Sequence, residues 1–167
     1  MDDVYAPLRP SPTTPEDELC SCPVDSPIML MSALSANPIH CLWCNLEVKP
    51  EAIPLPPEMV QAVAHWCWIA GALERLELDS GPYERWAQGE LLDLSSPVNR
   101  EGLELREELN RVRRCYYVLF QALADELADG YVVPDSCPLC GAPFTESGSE
   151  WFTRLVCENC SLALVNV

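Results

Sequence analysis

The chain has little positive charge, little histidine, little glycine and no long apolar run, and each shortage removes a class of function. Ten Lys and Arg stand against 26 Asp and Glu in 167 residues, a net charge of −16. Nucleic-acid binding draws most of its affinity from cations that neutralise phosphates, so this balance opposes it unless the few basic residues share one face. The one gathering, Arg106, Arg111, Arg113 and Arg114, lies among Glu101, Glu104, Glu107 and Glu108. Opposite charges three and four residues apart read as pairing along a solvated helix, in preference to a phosphate patch. With two histidines and seven glycines there is no His-Glu-x-x-His helix, no Gly-x-Ser-x-Gly and no phosphate-cradling loop, so no enzyme class is indicated. His65, a candidate general base, has no visible partner and reads as a packing or surface residue. No apolar run approaches a membrane span, and the acidic start Met1-Asp2-Asp3-Val4-Tyr5 lacks the basic region of a secretory signal. A cytoplasmic protein without membrane contact is the expectation.

What the chain does have is cysteine, ten in all. Cys137-Pro138-Leu139-Cys140 and Cys157-Glu158-Asn159-Cys160 are two Cys-x-x-Cys knuckles with sixteen residues between them, the spacing of a zinc ribbon. Each tight turn presents two thiolates to one side of an ion, and a hairpin brings the second pair round to complete a tetrahedron. The alternatives are two redox pairs or four buried thiols. Cys20-Ser21-Cys22 and Cys41-Leu42-Trp43-Cys44, eighteen residues apart, make a second candidate cage, although one knuckle has a single intervening residue where two are usual. A site with four protein ligands is closed and holds a fold together; two Zn2+ ions are the expected cofactors, each cage adding about −2 to the charge. His40, beside Cys41, is an alternative ligand that strand alternation turns away from the site. Cys67 and Cys115 read as buried hydrophobes, with Cys115 the one unpaired thiol whose neighbours, Arg113 and Arg114, favour a lowered pKa.

In chain order, residues 1–18 carry Pro7, Pro10, Pro12 and Pro15 and read as a flexible arm. Residues 19–57 form an N-terminal zinc-binding β element, with a strand at Ile28-Met29-Leu30-Met31 and a proline-rich linker ending at Pro56-Pro57. Residues 58–130 form a helical core. Met59, Val63, Trp66, Ile69, Leu73 and Leu76 make the stripe of a helix from Glu58 to about Leu78, ended by Asp79-Ser80-Gly81-Pro82. A shorter helix from Pro82 to Leu92 follows, with Ser80 as a cap and Trp86 on the core. Ser96-Pro97 starts another that leads to Leu103, Leu105, Leu109 and Val112. Cys115 to Phe120 suits a buried strand, while Tyr116, Leu119, Leu123 and Leu127 fit a helical stripe through Asp129, and periodicity leans slightly to helix. Residues 131–167 form the ribbon: Tyr131-Val132-Val133 crosses to it, Ser147-Gly148-Ser149 turns a hairpin between Ala142 to Thr145 and Trp151 to Val156, and Leu162 to Val167 makes a terminal strand. The fold class is α+β, a helical middle flanked by two zinc-ribbon-like β elements.

From Cys20 to the C-terminus the chain resembles a family of bacterial zinc-ribbon-containing proteins, labelled nucleic-acid-binding by ribbon analogy and without an established function. The resemblance lies in Cys20 and Cys22, Cys41 and Cys44 leading to Pro54-Leu55-Pro56, and Trp66 with Leu73. It continues through Tyr116-Tyr117 with Leu119, and ends with Cys137 to Gly141 and Cys157 to Cys160 followed by Leu162. It implies eight ligands in two sites and a strand at the tyrosine pair. Ribbons serve unrelated tasks, and the acidic charge departs from the family's label. The function expected is non-catalytic recognition of a protein with a basic surface, an inhibitor or immunity-type partner included, aided by exposed tryptophans among Trp43, Trp66, Trp68, Trp86 and Trp151. Nucleic-acid binding is the alternative.

Overall fold

The computed structural model describes residues 3–9, 12–32, 37–120, 134–149 and 152–165. Among these, helices α1 (Pro57–Asp79), α2 (Glu84–Leu92) and α3 (Pro97–Asn110) pack on one sheet. Its strands are β1 (Ile28–Leu30), β2 (Ile39–Cys41), β3 (Cys115–Val118), β4 (Thr145–Ser149), β5 (Phe152–Cys157) and β6 (Leu162–Val165). The class is α+β. The sheet order β2-β1-β3-β6-β5-β4 puts strands from the N-terminal element, the middle and the ribbon into a single layer. Neighbours β1, β3 and β6 run parallel, while β2, β5 and β4 pair antiparallel at the flanks.

The tyrosine run is a strand because both of its faces are covered, which removes the polar alternation that marks a half-exposed strand. Cys115 and Tyr117 face the helices, and Tyr116 and Val118 join Met29, Leu42, Val156 and Ala163 in a second cluster on the opposite face. The slight helical lean at 116–120 is therefore corrected; Leu123, Leu127, Asp129 and Tyr131-Val132-Val133 lie outside the described residues. The sheet also curls. Arg154 on β5 donates from Nη2 to Asn45 Oδ1 at 3.0 Å, although β5 lies four places from the strand that precedes Asn45.

Helix α1 starts where a missing proline N–H costs nothing, at Pro57. Its buried face, centred on Val60, Val63, Trp66, Cys67, Ala70 and Leu73, is rotated from the expected stripe, with Met59, Ile69 and Leu76 at its border. It ends at Asp79, just before Gly81 at φ +60°, and the Glu84 carboxylate accepts from the Ser80 and Gly81 N–H groups at 3.2 and 2.8 Å. Ser80 itself donates back to the Leu76 carbonyl and does not cap α2. Ala87, Gln88 and Leu91 face inward in α2, so Trp86, expected in the core, is 54% exposed. Ser96 accepts from the Asn99 N–H as expected, and Leu105 and Leu109 are buried. Val112 falls beyond the end of α3 and is exposed.

Two further expectations change. Residues 1–18 read as a flexible arm, yet Leu8 is fully buried, Tyr5 donates to the Ile53 carbonyl at 3.2 Å, and Thr14 donates to Glu47 at 2.7 Å. Prolines bar this segment from α-helix and sheet and leave it the short 3-10 turns Ala6–Leu8 and Glu16–Glu18, but a chain with preset φ angles loses less entropy when it docks by side chains. In the ribbon, Ser147, Gly148 and Ser149 are paired in β4 and do not form the turn. Gly148, at φ +142°, allows the Phe152 carbonyl to approach to 2.1 Å from where a Cβ would stand, so its small size serves pairing.

Gly102 performs a similar task in the core. A Cβ there would meet the Tyr117 ring at 2.3 Å and Trp66 Nε1 at 2.9 Å. Gly102→Ala is expected to lower stability by about 1–3 kcal/mol through overpacking, despite alanine's better helix propensity. Urea unfolding that shows a stabilised variant would contradict this packing.

Candidate metal centres

The structure brings together all eight expected ligands, in two groups. The sulfurs of Cys20, Cys22, Cys41 and Cys44, and those of Cys137, Cys140, Cys157 and Cys160, lie within 4.8 Å of one another in each group. The Cys140 and Cys157 sulfurs are 3.6 Å apart. A disulfide would place them at about 2.05 Å. Four sulfurs about 2.3 Å from a central zinc would be about 3.8 Å apart, so the observed distance suits tetrahedral coordination. All ten cysteines are free.

Two of the knuckles are closed by their own backbone. The Asn45 N–H bonds the Cys41 carbonyl at 2.9 Å and the Gly141 N–H bonds the Cys137 carbonyl at 2.8 Å. Directly after Cys44, Cys140 and Cys160 come Asn45, Gly141 and Ser161 at φ +60°, +73° and +49°. This left-handed residue reverses the chain so that both sulfurs of a knuckle face one point, and Gly and Asn adopt it at little cost. The Cys20-Ser21-Cys22 knuckle, one residue short, is anchored from outside: the Cys20 N–H bonds the Glu47 carbonyl at 2.9 Å. Buried Asn37 in turn donates to Glu47 at 3.0 Å and to the Val48 carbonyl at 2.8 Å.

Proton affinities show what four clustered thiols require. Burial pushes Cys41 up, but the N–H groups of Cys44 and Trp43 and the nearby Cys20 sulfur outweigh it and leave it below the usual thiol value. Burial and neighbouring sulfurs hold Cys20 well above that value and Cys22 at about 11. In the second group the Ala142 N–H and the Cys160 sulfur bring Cys140 to about 7, while burial and the other sulfurs push Cys160 to about 12. One thiolate forms readily in each group, while Cys20 and Cys22 in the first and Cys157 and Cys160 in the second resist, because burial and like charges oppose further ionisation. A dication at the centre removes that conflict, so the donor set fits a thiophilic metal ion. His40 is not a ligand: its Nδ1 lies 2.9 Å from the Asn45 carbonyl.

Sheet register puts both groups on the same edge. Cys41 pairs with Ile28, the first residue of β1, and Cys157 pairs with Leu162, the first residue of β6. The arginines expected to pair along a helix are gathered at this edge. Arg106 donates to the Cys160 carbonyl, Arg113 donates to the Ser26 carbonyl at 2.6 Å, and Arg114 reaches Glu158 inside the last knuckle at 2.7 Å. Only the Arg111 to Glu108 pair keeps the three-residue helical spacing. Spacing could not reveal this arrangement, because Arg114 and Glu158 are 44 positions apart. Cys115 is the buried hydrophobe expected: it is fully buried, and burial pushes it to about 12, which outweighs the nearby arginines, so the lowered pKa they favour does not arise.

No protein-family model, curated protein or solved structure matches this chain. The function must therefore be argued from the site itself. Among the described residues no helix is long and apolar enough to cross a membrane. His65 is exposed on α1, and Trp43, Trp68 and Trp86 are exposed as well, whereas Trp66 is buried; Trp151 lies outside the described residues.

Proposed function

We propose that the two cysteine groups each hold a structural Zn2+ ion and that the protein acts without catalysis, by binding a protein with a basic surface in the cytoplasm. The observation that carries this reading is a groove of about 540 Å3 between α1 and α3. Its floor is Met59, Ala62 and Leu105, and its rim includes Glu58, Glu101, Glu104, Glu107 and Glu108. An apolar floor ringed by carboxylates suits lysine or arginine side chains, whose hydrocarbon stems pack below while their charges meet the rim. The −16 charge steers such a partner from a distance. Exposed Trp68 and Trp86 are further anchor candidates of the kind that dominate interfaces.

The arginines support the same reading from the other side. Arg106, Arg113 and Arg114 offset the charge that two four-thiolate zinc sites would concentrate on one edge, so their internal contacts compete with phosphates. Membership in the zinc-ribbon family stays a proposal, resting on the cysteine pairs and the tyrosine pair.

Fluorescence anisotropy tests both readings with the full-length, zinc-loaded protein. A lysine- and arginine-rich helical peptide is expected to bind with an affinity that falls steeply as salt rises. The combined variant Glu101→Lys, Glu104→Lys, Glu108→Lys is expected to lose that binding. Tighter retention of single- or double-stranded nucleic acid at low salt would replace this reading with the nucleic-acid one.

A further inference from the structure

A second site lies at the opposite edge of the sheet from the cysteines. Parallel strands β1 and β3 end at Leu30 and Val118, and just beyond them a cavity of about 190 Å3 opens between the strand ends and all three helices. The crevice outside the carboxyl ends of parallel strands is where such sheets bind ligands. The cavity is somewhat larger than the ~150 Å3 apolar cavity that takes benzene in an engineered protein.

Its polar lining divides sharply into saturated and unsaturated groups. Trp66 Nε1 donates to the Val98 carbonyl at 2.9 Å, and the Tyr117 hydroxyl donates to Asn99 Oδ1 at 2.7 Å. Asn99 Nδ2 donates to the Leu91 and Asp93 carbonyls at 2.9 and 2.8 Å. Two groups remain. The Ser32 hydroxyl is buried with no hydrogen bond of normal geometry, its polar neighbour being the Glu74 carboxylate, and Glu74 forms no salt bridge among the described residues. Both line the cavity, with the Trp66, Tyr117 and Phe120 rings around them.

We propose that this cavity binds a small molecule carrying one ammonium group on an aromatic or hydrocarbon body, with Glu74 and Ser32 receiving the ammonium. A carboxylate in apolar surroundings with no ion pair is unfavourable, and a ligand cation supplies one. Burial does hold the Glu74 carboxyl above its usual range, with the Ser32 hydroxyl and the Arg75 guanidinium opposing that shift and Glu77 adding to it. Aromatic rings add cation–π attraction and exclude water from the ligand's apolar part. The site is independent of the cysteine groups and of the acidic groove.

Benzylamine, benzyl alcohol and benzoate probe it, by calorimetric titration of the full-length protein carrying its metal ions. Benzylamine is expected to bind more tightly than benzyl alcohol, and benzoate not at all. Glu74→Gln is expected to weaken benzylamine about tenfold while leaving benzyl alcohol unchanged. Ala70→Met, which fills the cavity from α1, is expected to abolish binding of both while metal content and circular dichroism stay those of the wild type. The proposal is overturned by absence of benzylamine binding at millimolar concentration, or by equal benzylamine affinity in Glu74→Gln. Should that variant not fold, benzylamine affinity undiminished in Ala70→Met overturns it.

Discussion

Replacing Cys160 by serine is expected to leave the protein with one bound metal ion and no cooperative unfolding transition. Structural zinc contributes about 10–16 kcal/mol in small zinc-binding peptides. Whole domains are stable by only about 5–15 kcal/mol, so the loss of one such ion is of the same size as everything else combined. The position of the cage makes the effect global. Cys157 and Cys160 flank the turn into β6, and β6 lies between β3 and β5 inside the sheet, so freeing that turn releases β4 and β5 with it. Cys20→Ser is expected to do less harm, because its cage secures β2, an edge strand backed by the Asn37 and Glu47 contacts. Native mass spectrometry counts the ions and circular dichroism follows the melting. Two ions in Cys160→Ser, or a smaller loss of stability there than in Cys20→Ser, would refute this account of the cages.

Trp66→Ala is expected to cost about 3–5 kcal/mol, the range for truncating a large aromatic in a core. Trp66 is 1% exposed, meets the Tyr117 ring edge-on at 5.8 Å, and holds the Val98 carbonyl at the start of α3. Removing it empties the space where α1, α3 and β3 meet and leaves that carbonyl without its partner, a separate cost of about 1–3 kcal/mol. Trp66→Phe keeps most of the ring and loses the N–H, so it is expected to fall between alanine and the wild type. Urea unfolding with both ions bound provides the comparison, and a loss below about 1 kcal/mol for the alanine variant would mean that the core does not depend on this residue.

Features coded within a few residues were legible in the chain. Knuckle spacing located both sulfur groups, Ser96-Pro97 located the start of α3, and Gly81-Pro82 located the end of α1, because each signal and its structural effect share one turn of backbone. Misreadings arose where a distant element set the outcome. Trp86 sits on the outside because Ala87 and Leu91 fill the space against α1, and hydrophobicity alone does not distinguish those two faces of a nine-residue helix. Leu8 is buried although its proline-rich segment forms no more than a 3-10 turn, since its docking site is made by α1 and the residues around Ile53, tens of positions away. The tyrosine strand reads ambiguously for the same reason: burial on both faces removes alternation, and what buries it comes from Met29, Leu42 and Ala163.

By itself, then, the sequence determined the two cysteine groups, the helices and the acidic charge, all of which depend on residue type and short spacing. Only the tertiary structure decided that N- and C-terminal strands join one sheet and that both sulfur groups lie on its same edge. It also decided that the arginines turn toward that edge and that Glu74 and Ser32 meet at the other. These are juxtapositions of residues tens of positions apart, and they arise when chain reversal and burial bring the strands into register, which no local pattern encodes.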